Sequence, residues 1–385
     1  MRWPKATLGE CATLVNGRAY KQEELLDSGT PVLRIQNLNG GDRWYYSDLS
    51  LPQDKYCDKG DLLFAWSASF GPYLWNGPRA IYHYHIWKVL PGKSLDKGFL
   101  YHLLGFLTAR VKSESHGASM LHMTKARMEA LKIPLPPLEE QRSIAAILDK
   151  AAKLKSMSNK AHQIIADART SRLRDLLCGA TAHQSAWERV PISELIREQP
   201  NNGIFRKNHE YDDPSSQGLP VIWVEQLFRG EVINTIGCRL LNASEAEVKK
   251  YGLFNGDILF CRSSLKPEGI AKPNIYTGDD NQALFECHLI RISPDQKKVN
   301  PIFLNECLNL PEIRREARRL SKTSTMTTID QDGILAIKIP LPPLHVQGRF
   351  ADEFSHFQGM SKQCLRSRGI FNQLAASLTS SIFGK

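Results

Sequence analysis

Long hydrophobic runs are missing from this sequence. The apolar stretches are short, such as Leu62-Leu63-Phe64-Ala65-Trp66, far below the roughly 20 residues a membrane-spanning helix requires. The opening Met1-Arg2-Trp3-Pro4-Lys5 carries no apolar core of a secretory leader, so no membrane and a cytoplasmic setting are expected. The eight cysteines, at 11, 57, 178, 238, 261, 287, 307 and 364, never fall at C-x-x-C spacing. Zinc or redox centres built on that motif are therefore excluded, and reduced thiols of a cytosolic protein are expected. Catalytic signatures are equally scarce. There is no G-x-G-x-x-G and no H-E-x-x-H, and no Asp/Asn-Pro-Pro-aromatic tetrapeptide of an amino-methyltransferase. Pro91-Gly92-Lys93-Ser94 imitates the end of a phosphate-binding loop, but the first glycine position holds Trp87. Pro294-Asp295 is followed by no Asp/Glu-x-Lys, and His83 and His85 have no third partner that would make them metal ligands. With no catalytic residue and no metal set, the chain reads as a binder.

What is present is ordinary globular material: 385 residues, 42% hydrophobic and 23% charged, enough for about two domains. The formal charge of +10 suits a polyanionic partner such as nucleic acid. That charge is unevenly distributed: +5 over residues 1–138, +3 over 139–178, −1 over 179–344 and +3 over 345–385.

The dominant signal is an internal duplication. Ile133-Pro134-Leu135-Pro136-Pro137-Leu138 followed by Gln141 recurs as Ile339-Pro340-Leu341-Pro342-Pro343-Leu344 followed by Gln347, at an offset of 206. Upstream, Gly60-Asp61-Leu62-Leu63-Phe64 matches Gly256-Asp257-Ile258-Leu259-Phe260, Pro31-Val32-Leu33 matches Pro220-Val221-Ile222, His85 lies opposite His288, and Trp3 matches Trp187. The offset grows from 184 to 206 along the repeat, so the copies differ by loop insertions. Each copy begins with short β runs, Pro31–Ile35, Asp61–Ala65 and His85–Val89 in the first, Val221–Val224, Asp257–Phe260 and His288–Ile292 in the second. Helical stretches follow at Asp96–Val111 and Ile302–Leu320, so each copy is an α+β unit.

Beyond each Pro motif lies a segment without proline. Pro136-Pro137 and Pro342-Pro343 stop a helix from extending backward, and one starts just after them. Ile144, Ile147, Ala151, Leu154, Ala161 and Ile165 recur at alternating three- and four-residue steps, as do Phe350, Phe354, Phe357, Phe371 and Leu378, with Ser361 and Arg368 breaking the second seam. That is a coiled-coil register. Residues 141–178 would extend about 57 Å as one helix, farther than a unit of this size can cover alone. The two helices are therefore expected to pair with each other. Pseudo-twofold symmetry from the duplication makes the pairing antiparallel. The expected architecture is two tandem pseudo-symmetric units, 1–138 and 179–344, separated by helices 139–178 and 345–385.

The doubled I-P-L-P-P-L-x-x-Q boundary, the long helix after each copy and the G-D-[IL]-L-F strand before a polar turn resemble the specificity subunit of type I restriction–modification enzymes over essentially the whole chain. The resemblance implies that 1–138 and 179–344 are target recognition domains, each reading one half of a bipartite, asymmetric site on double-stranded DNA. The coiled coil would set the half-site spacing. It would also dock two modification (methyltransferase) subunits, with restriction (ATP-dependent translocase and nuclease) subunits joining further out. No catalysis would reside here; S-adenosylmethionine, ATP and Mg2+ would belong to the partners. By position, the turns expected to face DNA are Trp66, Ser67 and Ser69 in the first copy and Arg262, Ser263, Ser264 and Lys266 in the second. The segments before the Pro motifs add Ser119 and His122, and Ser324 and Thr325. The early loops add Asn16, Arg18, Tyr20 and Lys21, and Arg206 and Lys207, whose mixture of amide, aromatic and basic groups suits base and phosphate contact. Two other readings stay open: the recognition subunit of a related bipartite enzyme whose nuclease and methylase are fused in one partner, and a protein-only tandem coiled-coil scaffold.

Overall fold

The computed structural model describes residues 3–114, 123–178, 187–211, 218–323 and 327–383. The chain divides into two compact units, residues 1–159 with 366–385, and residues 160–365. Both units mix helix and sheet, as the α+β reading expects.

In the first unit, an antiparallel sheet runs in the order Ala12–Asn16, Ile86–Pro91, Leu62–Ala65, Gly71–Leu74. A second sheet runs Tyr45–Ser47, Thr30–Leu33, Ala80–Tyr82, Tyr56–Cys57, with its middle pair parallel. The second unit repeats this plan. One sheet runs Asn201–Asn202, Leu289–Ile292, Ile258–Cys261, Pro273–Ile275, and the other Arg239–Leu241, Leu219–Ile222, Leu284–Phe285, again with one parallel pair. The duplication read in the sequence is thus a duplication of topology. A small sheet of Ser263–Ser264, Thr327–Thr328 and Lys322–Thr323 is added in the second unit.

The G-D-[IL]-L-F motif has a physical cause at each position. Gly60 and Gly256 sit at φ +91° and +92°, a left-handed turn that glycine adopts without a Cβ clash. The next aspartate caps that turn. Asp61 accepts from the Asp58 amide at 2.8 Å, and Asp257 accepts from the Phe254 amide at 3.0 Å. The following apolar run is buried on both faces. Leu62 and Phe64 join Phe99, Leu103, Leu104, Ile144 and Leu148 in the main core, whereas Leu63 faces Leu33, Tyr82 and Ile86 between the sheets. Ile258 and Phe260 do the same with Phe303, Leu304 and Phe350, while Leu259 and Cys261 join Ile222, Phe285 and Leu289. A strand covered on both sides reads as a continuous apolar run rather than an alternating one.

The Pro motifs close their units. Lys132–Pro134 pairs antiparallel with Lys5–Thr7, and Lys338–Pro340 pairs with Arg189–Pro191. The glutamine of each motif is a fully buried staple. Gln141 accepts from the Asp96 amide at 2.7 Å and donates to the carbonyls of Ser94 and Pro136. Gln347 accepts from the Asn300 amide at 2.7 Å and donates to the Pro342 carbonyl. Asp96 and Asn300 each cap the helix that follows, at the amides of Phe99 and Phe303. The amide therefore ties the start of each long helix to the start of the helix inside its unit, and its buried polar atoms are matched rather than orphaned.

The helix expected at Ile302–Leu320 is two helices, Pro301–Asn309 and Pro311–Arg319. Pro311 lacks the amide that would continue the ladder and keeps Leu310 out of helical geometry. The second expected strand ends at Ile222, and a short 3-10 turn takes over at Val224–Phe228.

The two long helices span Leu138–Cys178 and Leu344–Phe383. In the first unit, Ile144, Leu148, Leu378, Ile382 and Phe383 share one core, and the Phe383 ring lies 5.5 Å from Phe99 and 5.6 Å from Phe106. In the second unit, Leu173 and Leu176 share a core with Phe350 and Phe354. There Arg172 grips Glu353 through two bonds of 2.6 and 2.8 Å, and His162 meets the Ser361 hydroxyl at 2.9 Å. Residue 172 opposes 353 while 162 opposes 361, so the helices run antiparallel in this unit. Ser361 breaks the apolar seam in sequence yet is only 1% exposed; it forms a polar layer with His162.

One seam assignment is corrected. Ile147 is 51% exposed, and Leu148 takes the buried place between Ile144 and Ala151. The helix here packs on a globular core as well as on a partner helix, so the broader stripe of a 3.6-residue period decides which side is covered. Leu154, Ala161, Ile165, Phe357, Phe371 and Leu378 are half-buried.

Candidate nucleic-acid interface

In each unit an early loop, the turn between two core strands and the segment after the G-D-[IL]-L-F strand converge. In the first unit, the Gly17 and Arg18 amides donate to the carbonyls of Ile86 and Tyr82, the Tyr84 amide donates to the Arg18 carbonyl, and the Trp66 amide donates to the His85 carbonyl at 3.1 Å. In the second, the Gly203 and Ile204 amides donate to the carbonyls of Leu289 and Phe285, and the Arg262 amide donates to the His288 carbonyl at 2.8 Å. Both loops enter on an Asn-Gly pair. A Cβ on Gly17 would lie 2.3 Å from the His83 carbonyl oxygen, and one on Gly203 would lie 2.2 Å from that of Phe285. Only glycine allows this approach.

The side chains on the two matching frames differ. In the first unit they are aromatic. Phe64, Trp87 and Trp66 form a ladder with centroid spacings of 5.9 and 6.0 Å. The outer ring, Trp66, donates its indole NH to the Tyr84 carbonyl at 2.8 Å. A cavity of about 370 Å³ opens here, lined by Asn16, Trp66, Tyr84, Trp87, Met123 and Lys125. Arg18 is held by Glu24 through bonds of 3.0 and 2.6 Å and lies over the Tyr20 ring. Burial raises the Tyr20 phenol well above its ordinary value. Lys21 projects outward beside Glu23. Ser67 is buried, and Ser69 accepts from the Asn39 side-chain amide at 2.6 Å. Between them Ala68 takes a left-handed φ of 55°, a strained position for a residue with a Cβ.

In the second unit the same frame carries charge. Arg262 forms no ion pair among the described residues. Ser263 and Ser264 pair with Thr328 and Thr327, and the Ser264 hydroxyl donates to the Lys266 carbonyl at 2.7 Å. Next to them Leu265 is 82% exposed. In the early loop, Arg206 is tied to Glu247 and Glu210, and the Lys207 amide donates to Glu210. Phe205 projects with 72% of its surface exposed. Phe205 belongs to the early loop whose aromatic and basic mixture stood out in the sequence, whereas Leu265, Tyr84 and Lys125 did not stand out; an apolar residue between polar ones was the available signal for Leu265. Ser119, His122, Ser324 and Thr325 lie outside the described residues.

Among the described residues, the one group of three ligand-type side chains within reach of a common ion is Glu286, Cys287 and His288. The seven cysteines whose side chains are described are free thiols. No described helix is long and apolar enough to cross a membrane.

The chain resembles known proteins of one family. Residues 2–165 match the family model of the type I restriction modification DNA specificity domain. The specificity subunit of type I restriction enzyme EcoBI from Escherichia coli is 23% identical over 415 residues, covering 99% of this chain and 85% of that one. The chain is similar to type I restriction–modification specificity subunits along nearly its whole length. The MjaVIII specificity subunit of Methanocaldococcus jannaschii is 24% identical over 377 residues, covering 93% of this chain and 86% of that protein. A crystal structure of the specificity subunit from M. genitalium superposes with a TM-score of 0.62 at 14% identity, covering 100% of this chain and 96% of that one. A chain from a study of complex assembly and conformational transition of the type I system gives a TM-score of 0.55 at 17% identity, covering 99% of this chain and 97% of that one. At such identities the structural likeness speaks for the specificity-subunit fold.

Proposed function

We propose that this chain is the noncatalytic sequence reader of a type I restriction–modification complex, with residues 1–138 and 179–344 each recognising one half of a bipartite, asymmetric DNA site. The observation that carries this reading is the pair of matching frames. The same Asn-Gly loop, turn and post-strand segment recurs in both units, fitted with aromatic groups around Trp66 in one and with Arg262 and Lys266 in the other. Equivalent positions with different chemistry suit two different half-sites.

The long helices set the half-site separation and dock two modification subunits, with restriction subunits joining further out. In support, the helices leave large apolar side chains exposed: Ile147, Met157, Ile370 and Leu374 in the first unit, and Ile164, Met360 and Leu365 in the second. Apolar residues unused by the chain's own packing suit a protein partner. S-adenosylmethionine, ATP and Mg2+ act on those partners.

Mapping methylated bases genome-wide in cells carrying this chain and its partner subunits tests the reading. One split, asymmetric motif that vanishes when this chain is deleted is the expected result. A single uninterrupted motif, or methylation unchanged by the deletion, overturns it.

A further inference from the structure

The turn beneath the second unit's frame carries three consecutive side chains with metal-binding atoms. Glu286, Cys287 and His288 join strand Leu284–Phe285 to strand Leu289–Ile292. The Leu289 amide donates to the Glu286 carbonyl at 3.0 Å and closes the turn. The Glu286 side chain is only 3% exposed. Its Oε2 accepts from the His288 amide at 2.8 Å and lies 2.7 Å from His288 Nδ1, while Cys287 Sγ lies 3.7 Å from that nitrogen. All three ligand atoms fall within 4.8 Å of one another.

The nitrogen–sulfur separation matches a known chemistry. A tetrahedral zinc ion with Zn–N near ~2.05 Å and Zn–S near ~2.3 Å places its nitrogen and sulfur ligands about 3.6 Å apart. A small rotation of the imidazole would open the carboxylate–nitrogen distance to a similar value. A cavity of about 350 Å³ lined by Trp223, Arg239, Glu286 and His288 adjoins the cluster. It leaves room for a water on the remaining coordination position.

We propose that Glu286, Cys287 and His288 bind one thiophilic divalent cation of the zinc class. Binding exchanges the thiol proton, released to solvent, for the metal–sulfur bond; the carboxylate and the neutral imidazole nitrogen complete the protein ligands. The ion would fix the turn that receives the Arg262 amide through the His288 carbonyl and the Ile204 amide through the Phe285 carbonyl. It thereby stiffens the support of both candidate DNA-facing segments of that unit. The other copy supplies a contrast, because His83, Tyr84 and His85 occupy the matching turn and offer neither carboxylate nor thiol.

The test uses the full-length, untagged chain, stripped of metal under reducing conditions and titrated with Co2+ as a coloured substitute for zinc. One equivalent should bind with a thiolate-to-cobalt charge-transfer band, and zinc should bleach it. Cys287→Ser should abolish that band. His288→Gln, which changes an exposed side chain, should weaken Co2+ binding at least tenfold, while circular dichroism and metal-free melting stay unchanged. Zn2+ should raise the melting temperature of the wild type but not of the chain carrying both Cys287→Ser and His288→Gln. Absence of the band in the wild type overturns the assignment, as does its survival in Cys287→Ser.

Discussion

Single side chains carry the sharpest tests. Trp66 ends an aromatic ladder at an open cavity. Trp66→Ala should therefore cost the assembled complex about 1–3 kcal/mol of affinity for its DNA, the usual worth of one specific contact at a duplex base edge, as read by fluorescence anisotropy on a cognate duplex. Arg262→Glu should weaken binding to the cognate sequence more than to random DNA; equal losses on both would make Arg262 a phosphate contact. His83 supplies a pH signature. Burial pulls its imidazole from 6.5 down to about 4, so folding favours the neutral ring. Its stabilising contribution is complete above about pH 6.5 and lost as the pH falls through about 4. His83→Gln should thus show a shallower fall in melting temperature across that window. The Asn-Gly pairs and the G-D turns were legible in the sequence because each answers to a local backbone requirement. The partners of Arg18 and Arg206 were not. A free basic residue and one held by Glu24 or Glu247 look alike until the chain is folded.

At the scale of elements, the Pro motifs and the helices after them were legible because proline acts on its immediate neighbours. The break at Pro311 follows the same rule inside a stretch whose composition reads as one helix. The buried role of Gln141 and Gln347 was visible only as repetition, since their partners at Ser94, Asp96 and Asn300 lie more than 40 residues away. Gln347→Ala should destabilise its unit by about 1–3 kcal/mol, because the Asn300 amide and the Pro342 carbonyl lose their buried partner. Ile147 and Leu148 make a paired test of the seam. Leu148→Ala should cost about 2–5 kcal/mol in denaturant unfolding, whereas Ile147→Ala should stay within about 0.5 kcal/mol. A heptad-only reading of the sequence predicts the reverse order.

For the molecule as a whole, charge and duplication were legible together, whereas the DNA sequence that the proposed readers would select depends on side-chain details that composition does not encode. Affinity of the assembled complex for DNA should fall as salt rises, with a log–log slope near −0.9 per neutralised phosphate. Removing seven residues from both long helices should change the permitted distance between half-sites, read by selecting bound duplexes from a library of spacer lengths; unchanged spacing would refute the ruler. The closing pairs Lys5–Thr7 with Lys132–Pro134 and Arg189–Pro191 with Lys338–Pro340 also bear on how such a gene can evolve. Each globular segment enters and leaves through neighbouring strands, at a boundary spelled almost identically in the two copies. On the proposed reading, an exchange at those matching boundaries would replace one globular segment wholesale while leaving the joint that receives it intact, so a changed target would arise in one step rather than by gradual substitution.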